Sequence, residues 1–479
     1  MSSPQSESHA GAVSGTHFYL IGIGGAGMSV LAQLLLALGA TVSGSDREES
    51  DTTRDLSGRG VTVFIGQKAA NVPPDAIVVY SSAIKDSNPE LVQARRVGLP
   101  MMHRSEALAL AASGLEFIAV AGSHGKTTTS SMIASALYRA GYDPSWAIGG
   151  SLKELGSGGR LGSGSFFVAE ADESDESFLN YTPRVEVVTN VEPDHLDHYG
   201  SALAYATAFV QFAQRLEPGG LLVVCSDQPE GRQLAREAAS EGIRVQTYGF
   251  KPGVDSLDHM QIMASGVYTL RSVDYRINLA VPGAHNMLNA AGALSAALDL
   301  SVAPDSFIAG LEKFDGAGRR FDLKGTIGGV RLYDDYAHHP TEVRATLVVA
   351  RGEAEKTSGH VRVLFQPHMY SRTQHFARAF AQELLKADSV IVTSVFAARE
   401  VPEQGEEGDS ITAKMHGRAQ FIPDMNDAAR VLADMAREGD VLITMGAGSI
   451  NHVDPIILQR LQERGISGGS DTGSEGSSR

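Results

Sequence analysis

Short apolar runs that end in glycine, serine or acidic residues alternate with longer segments of helical periodicity along most of the chain. Apolar runs of this length predict strands that are buried on both faces of a sheet. The clearest of them span residues 17–21, 76–80, 117–121, 165–169, 185–189, 361–365, 389–394 and 441–445. Because the strands alternate with helices, the sequence predicts an α/β protein with parallel sheets in every domain.

The chain of 479 residues is long enough for about three domains. We predict a first domain at 16–112, a second at 113–323 and a third at 324–464. Disordered tails rich in glycine and serine are predicted at 1–15 and 465–479. Residues 1–15 lack the basic start and the apolar core of a signal peptide, so they are not interpreted as one.

The first domain opens with an uncharged run, 18–42, that is long enough to suggest a membrane span. Its glycines cluster in a Gly-Ile-Gly-Gly-Ala-Gly turn at 22–27, which favours a buried βα unit instead. The turn fits G-x-G-x-x-G, and Asp46 stands where an acid binds a ribose hydroxyl. A Rossmann-like domain is therefore predicted, and its ligand is either a nicotinamide dinucleotide or another pyrophosphate, such as a nucleotide-diphosphate sugar.

Polar residues end two further strands of this domain. Ser81 and Ser82 follow the strand at 76–80, where polar contacts to a ligand are expected. His103 and Arg104 form a basic pair suited to a phosphate, although either residue alone is typical of a solvated loop.

A second glycine turn follows the apolar run at 117–121 and reads Gly-Ser-His-Gly-Lys-Thr-Thr. Glycine lets the backbone approach phosphate oxygens, the following helix N-terminus supplies positive field, and Lys126 adds a charge. The hydroxyl of Thr127 or Thr128 is a ligand for the metal that accompanies a nucleotide triphosphate. The loop is shorter than the standard pattern, because Val120 stands where that pattern has glycine. The strand before it and the helix after it still favour a P-loop-type ATP-binding domain.

Two later strands of the second domain deliver candidate metal ligands. Glu170 ends the strand at 165–169, and His195 follows the strand at 185–189 among several carboxylates. Because strand ends face the ligand in such sheets, we expect a divalent cation there, either Mg²⁺ or Mn²⁺. The acidic run at 173–176 is as consistent with a solvated loop as with a site.

Asn286 and Asn289 lie one helical turn apart, where they suit either a base edge or a helix cap. Arg319 and Arg320 offer two guanidinium groups for bidentate phosphate contact. The third domain repeats the design of buried strand followed by chemistry-bearing residues. Its candidate groups are Asp335, Tyr336, His338, His339, His368 and Arg372.

The net charge of −16 argues against nucleic-acid binding, so an anionic substrate has to be met by local clusters of Arg, His and backbone N–H. The single cysteine, Cys225, lies in an apolar stretch and is interpreted as a buried spectator. We expect a cytoplasmic protein with no membrane partner, and the sequence leaves open whether it is a monomer or a homodimer.

Eight segments occur in the order and spacing of the Mur ligases, and the chain resembles that family from about residue 16 to 460. The segments are 22–29, 122–129, 170–178, 190–199, 285–290, 334–342, 365–372 and 446–448. The resemblance implies three α/β domains: Rossmann-like, P-loop-type and again Rossmann-like. It also implies ATP-dependent amide ligation in peptidoglycan synthesis, with UDP-N-acetylmuramate and L-alanine as substrates and ATP and Mg²⁺ as cofactors.

Together with the motifs, the resemblance implies four groups of site residues. The sugar nucleotide would bind Gly22, Gly24, Gly25, Gly27, Met28, Asp46, Ser81, Ser82, His103 and Arg104. ATP would bind Gly122, Ser123, His124, Gly125, Lys126, Thr127, Thr128, Asn286, Asn289 and Arg319. The metal would be held by Thr127, Glu170 and His195. The amino acid or the sugar's carboxylate would meet Tyr336, His338, His339 and Arg372, and the predicted catalytic residues are Lys126, His338 and Arg372.

The chain departs from the family at three positions: Met369, where many relatives carry Arg, and Ser394 and Ser449, where they carry Asp. No lysine stands between Lys153 and Lys251, so the carbamylated lysine of several Mur ligases is not assigned. The sequence leaves open whether His338, His339 or Asp335 deprotonates the amine, and whether glycine or L-serine also reacts. Two alternatives stay open: a murein tripeptide-recycling ligase acting on the same sugar nucleotide, and an NAD-dependent oxidoreductase.

Overall fold

The computed structural model describes residues 13–150, 152, 156–398, 400 and 407–465. The chain divides into two compact units, Met1–Ala317 and Gly318–Arg479. Most of both predicted tails lies outside the described residues. The exceptions are Gly465 and residues 13–15. Residues 13–15 form a turn with Val13 buried, so the predicted N-terminal tail is wrong for these three residues.

The first unit contains a five-stranded sheet at its N-terminal end, with strand order β3-β2-β1-β4-β5 and all pairs parallel. Its strands are β1 (His17–Ile21), β2 (Thr41–Asp46), β3 (Thr62–Ile65), β4 (Ile77–Tyr80) and β5 (Met101–His103). Its helices are α1 (Ala26–Ala37), α2 (Asp51–Gly58), α3 (Pro89–Val97) and α4 (Arg104–Ala111). The uncharged run at 18–42 therefore forms a βα unit, as predicted.

A ten-stranded sheet fills the rest of this unit, in the order β15-β14-β13-β12-β11-β10-β6-β9-β7-β8. Its strands are β6 (Glu116–Ala121), β7 (Ser145–Ala147), β8 (Gly159–Arg160), β9 (Phe166–Glu170), β10 (Val185–Val188), β11 (Leu221–Cys225), β12 (Arg244–Gly249), β13 (Asp258–Met263), β14 (Val267–Leu270) and β15 (Val273–Arg276). The helices are α5 (Lys126–Arg139), α6 (Leu196–Tyr199), α7 (Ala202–Ala213), α8 (Pro229–Ser240), α9 (Ala284–Asp299) and α10 (Pro304–Glu312).

The second unit is built on a six-stranded sheet with the order β16-β17-β21-β18-β19-β20. Its strands are β16 (Asp322–Ile327), β17 (Val330–Asp335), β18 (Val361–Phe365), β19 (Ser389–Val392), β20 (Ala419–Phe421) and β21 (Val441–Met445). Its helices are α11 (Pro340–Glu355), α12 (Tyr370–Leu384), α13 (Asp409–Thr412), α14 (Met425–Met435) and α15 (Asp454–Glu463).

The α/β class with three sheets is confirmed, but the prediction of parallel pairing throughout is wrong at the sheet edges. The pairs β13–β14, β14–β15, β7–β8 and β16–β17 are antiparallel. Short connections explain the difference, because a crossover helix that would make neighbouring strands parallel needs a dozen or more residues. The central strands are parallel and fully buried, so their carboxyl ends gather the glycine turns and the polar residues described below.

Apolar packing positions those strand ends. One cluster of buried side chains extends from the helix face of the first sheet, through Phe18 and Leu35, to Phe117 of the second sheet and Phe209 of α7. A separate cluster covers the opposite face of the second sheet under α5, α9 and α10. In the described portion, no helix has the length and hydropathy needed to cross a membrane.

Candidate active site

The first glycine turn joins β1 to α1 and is held by the end of β2. Gly22 adopts φ +78°, and the N–H groups of Gly22 and Ile23 donate to the carbonyl of Ser45 at 2.8 and 2.9 Å. The N–H of Gly24 donates to a carboxylate oxygen of Asp46 at 2.8 Å. The acid predicted to bind a ribose therefore also orients the turn.

Arg104, at the start of α4, lies against the same turn. A Cβ on Gly27 would stand 2.6 Å from Nη1 of Arg104, so glycine is required for this close approach. The guanidinium also lies 3.7 Å from the carboxylate of Asp172, which belongs to the second sheet. The structure thus places Arg104 beside the first glycine turn, whose glycines are also predicted to bind the sugar nucleotide. It also gives Arg104 an acidic neighbour, Asp172, that the sequence did not predict.

Ser82 and His103 meet at the carboxyl ends of β4 and β5. The Oγ of Ser82 lies 3.1 Å from Nε2 of His103 and donates to the carboxylate of Asp175. Burial lowers the pKa of His103 and outweighs the nearby carboxylate of Asp175. A neutral His103 presents its ring to Ser82 as a hydrogen-bond partner. The phosphate contact predicted for His103 stays a prediction.

The second glycine turn joins β6 to α5 and depends on two positive φ angles. Gly122 has φ +125°, and a Cβ there would stand 2.2 Å from Oγ1 of Thr189. Gly125 has φ +85° and is the N-cap of α5. The side chain of Asn190 donates to the carbonyl of His124 at 2.8 Å and accepts from its N–H at 3.1 Å. The end of β10 therefore fixes this turn, as the end of β2 fixes the first.

Lys126 is the first residue of α5, and its ammonium folds back over the turn. It donates to the carbonyl of Gly122 at 2.7 Å and lies 2.8–2.9 Å from both carboxylate oxygens of Glu173. Burial alone would lower the pKa of Lys126, but Glu173 and Asp172 outweigh burial and raise it. Lys126 is therefore a fixed positive charge at the helix N-terminus, which suits it to phosphate oxygens.

The acidic segment after β9 surrounds that charge. Glu173 is 1% exposed and lies directly on Lys126, so the interpretation of 173–176 as a solvated loop is wrong at this position. Asp172 faces both Lys126 and Arg104, and these cations outweigh its burial and lower its pKa. Glu173 stands three residues after the end of β9, and this spacing was a signal in the sequence for a site residue. The neighbouring acids concealed it, because the sequence does not show which carboxylate of the run turns inward.

The predicted metal ligands lie around the same lysine. Glu170 ends β9, accepts from the N–H of Gly149 at 2.7 Å and contributes to the raised pKa of Lys126. His195 has φ +52°, and its Nε2 lies 3.9 Å from Glu173 and 3.8 Å from Asp194. Thr127 follows Lys126 in the first turn of α5. A carboxylate, a hydroxyl and an imidazole beside the second glycine turn form a donor set suitable for Mg²⁺ or Mn²⁺.

Asn286 and Asn289 lie in the first two turns of α9. Asn289 is buried, and a Cβ on Gly125 would stand 2.9 Å from its Oδ1, so this asparagine packs against the second glycine turn. The Nδ2 of Asn286 donates to the carbonyl of Pro282 at 2.7 Å, which is a local contact at the helix start. The adenine contact predicted for both residues stays a prediction.

Arg319 belongs to the second unit, where its guanidinium has three partners. It donates to Asp334 at 3.0 Å and to the carbonyls of Gly446 and Gly448 at 2.8 and 3.2 Å. Its guanidinium carbon also lies 4.9 Å from the ring centre of Tyr336. These contacts bind the start of the unit to the ends of β17 and β21. Its predicted ATP contact stays a prediction.

Of the three candidate bases, Asp335 and His339 accept hydrogen bonds from backbone N–H groups of the second unit. Asp335 is buried and accepts from the N–H groups of Phe321 and Ala337 at 2.7 and 2.8 Å. Burial raises its pKa to about 6. His339 is the N-cap of α11 and accepts from the N–H of Thr341 at 3.3 Å.

His338 lies differently, between two acceptors. Its Nδ1 is 3.0 Å from the carbonyl of Tyr336 and 3.1 Å from a carboxylate oxygen of Glu342. Both partners favour a proton on Nδ1, which leaves Nε2 as the basic nitrogen. The tertiary structure therefore favours His338 among the three candidates.

Arg372 lies in the first turn of α12, where only 8% of the residue is exposed. Its Nη1 is 3.3 Å from Nδ1 of His368, and the rings of His368 and His338 are 5.9 Å apart. The second unit therefore brings the predicted carboxylate-binding residues Tyr336, His338 and Arg372 to the same sheet edge.

Known protein families match the chain in three successive regions, one for each sheet. Models of three Mur ligase domains match it: the "Mur ligase family, catalytic domain" at 17–115, the "Mur ligase middle domain" at 120–297 and the "Mur ligase, glutamate ligase domain" at 319–448. Both glycine turns and the cluster around His338 lie inside these matches.

Curated relatives extend over nearly the whole chain. The UDP-N-acetylmuramate–L-alanine ligase of Kineococcus radiotolerans is 50% identical over 457 residues, which is 93% of this chain and 96% of that protein. The protein of the same name from Mycolicibacterium smegmatis is 45% identical over 471 residues, 94% of this chain and 96% of its own length.

Solved structures resemble the chain over a similar length. The UDP-N-acetylmuramate–alanine ligase of Thermotoga maritima has a TM-score of 0.75 at 28% identity, covering 94% of this chain and 99% of that one. A murein peptide ligase from Psychrobacter arcticus has a TM-score of 0.68 at 25% identity, covering 93% and 99%.

Proposed function

The chain belongs to the Mur ligase family, and we propose that it joins L-alanine to UDP-N-acetylmuramate with consumption of ATP. The observation that carries the proposal is the 50% identity, over 93% of the chain, to a protein named for that activity. The partly buried Lys126 at a glycine turn is consistent with ATP as the phosphoryl donor. Because ATP and a nucleotide sugar are soluble substrates, we place the reaction in the cytoplasm.

The chemical problem is that a carboxylate does not react with an amine in water until it is activated. In the proposed reaction an oxygen of the sugar's carboxylate attacks the γ-phosphorus of ATP, the bond to the β-phosphate oxygen breaks, and an acyl phosphate and ADP form. The nitrogen of alanine then attacks the acyl carbon, and inorganic phosphate leaves. In the product the carboxylate of the sugar has become an amide, and the rest of the sugar nucleotide is unchanged.

Lys126 and the N–H groups at the start of α5 stabilise the negative charge that builds on the phosphoryl oxygens. Lys126 already faces Glu173 and Asp172, so phosphate binding places a second set of anions beside these acids. Thr127, Glu170 and His195 would hold Mg²⁺, which supplies positive charge for the phosphates when it is bound. The donor set fits such an ion because it combines two oxygen ligands with one imidazole.

The amine of alanine has to lose a proton before or during its attack. Nε2 of His338 is the proposed acceptor, because Glu342 and the carbonyl of Tyr336 hold the proton on Nδ1. Arg372 meets the carboxylate of the amino acid or of the sugar. Gly24, Asp46 and Arg104 bind the sugar nucleotide at the first turn.

The murein tripeptide ligase is a weaker candidate. Solved murein peptide ligases match at 25% and 27% identity and a solved alanine ligase at 28%, whereas the curated relatives at 45–50% identity are named as alanine ligases. A nicotinamide oxidoreductase is weaker still, since the second glycine turn and its lysine have no role in hydride transfer.

An ADP-release assay over several UDP-sugars and amino acids tests the proposal. We expect turnover that requires both UDP-N-acetylmuramate and L-alanine, with a product heavier than the sugar nucleotide by one alanine residue in mass spectrometry. Faster turnover with the tripeptide than with L-alanine would replace the proposal by the recycling activity. The absence of any ADP release with either acceptor would overturn both.

A further inference from the structure

One segment of the second unit lies against the turn that precedes α12. The N–H of Phe396 donates to the carbonyl of Pro367 at 2.8 Å, and the N–H of Met369 donates back to the carbonyl of Phe396 at 2.9 Å. The rings of His368 and Phe396 are stacked with centres 5.7 Å apart and planes 16° apart. This segment therefore holds the turn by backbone and ring contacts at once.

The turn itself is conformationally costly. Met369, the N-cap of α12, adopts φ +67°, a region that favours glycine over residues with a Cβ. Methionine has no side-chain oxygen to accept from the first N–H groups of the helix. Some other group has to stabilise both the strained residue and the open helix end.

Glu400 supplies that group from the neighbouring segment. One carboxylate oxygen accepts from the N–H groups of Tyr370 and Ser371, at 2.5 and 3.1 Å, and the other accepts from Oγ of Ser371. A carboxylate at this position also interacts favourably with the helix dipole. The cap of α12 is therefore the side chain of Glu400, which stands 30 residues after Tyr370 in the sequence.

The first turn of α12 carries Arg372, whose guanidinium contacts His368 on the other side of Met369. Fraying of this turn would move both side chains without changing either of them. We propose that Glu400 is a positioning residue, which orients Arg372 and His368 for the substrate carboxylate. The inference rests on the proposed function, because it takes Arg372 as a carboxylate-binding residue.

A second role for Glu400 makes the opposite prediction. Its carboxylate has the chemistry of the substrate's own carboxylate, so it would compete if the substrate used the N–H groups of Tyr370 and Ser371. Removal of a competitor lowers KM, whereas removal of a positioning group raises it. The sign of the change in KM therefore decides between the two roles.

The experiment compares Glu400→Ala and Glu400→Gln with the matched control Asp424→Ala. Asp424 caps α14 by accepting from the N–H groups of Asn426 and Asp427 at 2.8 and 2.9 Å, and α14 carries none of the predicted site residues. For Glu400→Ala we expect KM for L-alanine or for UDP-N-acetylmuramate to rise about five- to tenfold, the effect of losing a helix cap. KM for ATP should stay within about twofold, and Glu400→Gln should recover most of the loss, because its amide oxygen still accepts a hydrogen bond.

Hydrogen–deuterium exchange of the peptide that contains residues 370–384 gives a readout that does not depend on turnover. Exchange at the start of α12 should accelerate in Glu400→Ala and stay unchanged in Asp424→Ala. A lower KM, an equal loss in Asp424→Ala or unchanged exchange would each overturn the positioning role. If the wild-type chain released no ADP, the proposed function would fail, while the exchange result would still test the cap.

Discussion

The two sheets of the first unit are built on the same local plan and treat charge in opposite ways. In each, a central parallel strand ends in a glycine turn that starts a helix, and a neighbouring strand end fixes the turn. In the first turn the carboxylate of Asp46 accepts a hydrogen bond from the N–H of Gly24. In the second a partly buried ammonium, Lys126, lies over the turn and is held by Glu173. The local sequence supplies the glycine turn, and residues more distant in the chain supply the carboxylates that contact it.

The two sheets also differ in how a buried glutamate is stabilised. Glu90, 0% exposed in the first sheet's domain, accepts from Tyr19, Ser45 and Asn71 and from the N–H of Lys68. Glu186, 0% exposed on β10, has no hydrogen-bond partner for either oxygen within the described part of the chain. Burial raises the pKa of Glu186 well above its ordinary value, because the charged form is disfavoured away from water.

Lys126→Ala gives the largest expected effect, because it removes the charge that distinguishes the second turn. We expect ADP release to fall about a thousandfold, as for the loss of a group that stabilises transition-state charge. Glu173 then loses its buried partner, so thermal stability should fall as well. The double variant Lys126→Ala/Glu173→Gln should recover stability and not activity. Near-normal turnover of Lys126→Ala would contradict the role of the second turn.

Glu170→Gln tests whether the carboxylates around Lys126 hold a metal ion. The substitution keeps the side chain's size and removes the charge that a divalent cation needs. We expect the Mg²⁺ concentration for half-maximal activity to rise about ten- to thirtyfold, with a smaller change in turnover at saturating Mg²⁺. Titration of activity with MgCl₂ measures the shift. An unchanged requirement would exclude Glu170 as a ligand.

Gly27→Ala tests the first turn by its close approach to Arg104. The new Cβ would displace a guanidinium that stands 2.6 Å away, and a flexible side chain can move at moderate cost. KM for the sugar nucleotide should rise about tenfold, or about 1.4 kcal/mol, and KM for ATP should change little. Gly58→Ala is the control, because a Cβ there meets no described atom within 4 Å. Equal effects of both variants would argue against a binding role for the turn.

Glu186→Leu gives the smallest expected effect and concerns stability. Burial raises the pKa of Glu186 in the folded state. At pH values above its ordinary pKa of 4.5, unfolding therefore releases a proton from this group. Its contribution to stability is therefore present below pH 4.5 and is lost as the pH rises towards the folded-state value. Replacing it by leucine should stabilise the fold by about 1 kcal/mol, and more at pH 8 than at pH 5.

Thermal or urea unfolding of both chains at the two pH values measures that difference, since all other titrating groups are shared. The matched substitution Glu90→Leu should destabilise the fold, because it leaves four donors without their acceptor. A destabilising Glu186→Leu would mean that the carboxyl has a partner, and the contrast between the two sheets would weaken.

Prediction from sequence succeeded where the signal is local. The strand ends, both glycine turns and the positions of Glu170 and Arg372 follow from apolar runs that stop at chemistry-bearing residues. The antiparallel edges were missed because short polar-rich strands such as β15 carry little periodicity. Glu173 was missed because a run of acids looks alike in a solvated loop and in a buried pair. Glu400 has no local signal, since its partners lie at the start of α12.

By itself the sequence determined the α/β class, the positions of the two glycine turns and the family, because these depend on hydrophobic period, on glycine at positive φ and on ordered motifs. Only the tertiary structure decided which acid neutralises Lys126, which nitrogen of His338 is basic and which carboxylate caps α12. Those choices depend on contacts between segments distant in the chain. Burial makes such contacts strong, and no pattern within a single segment records them.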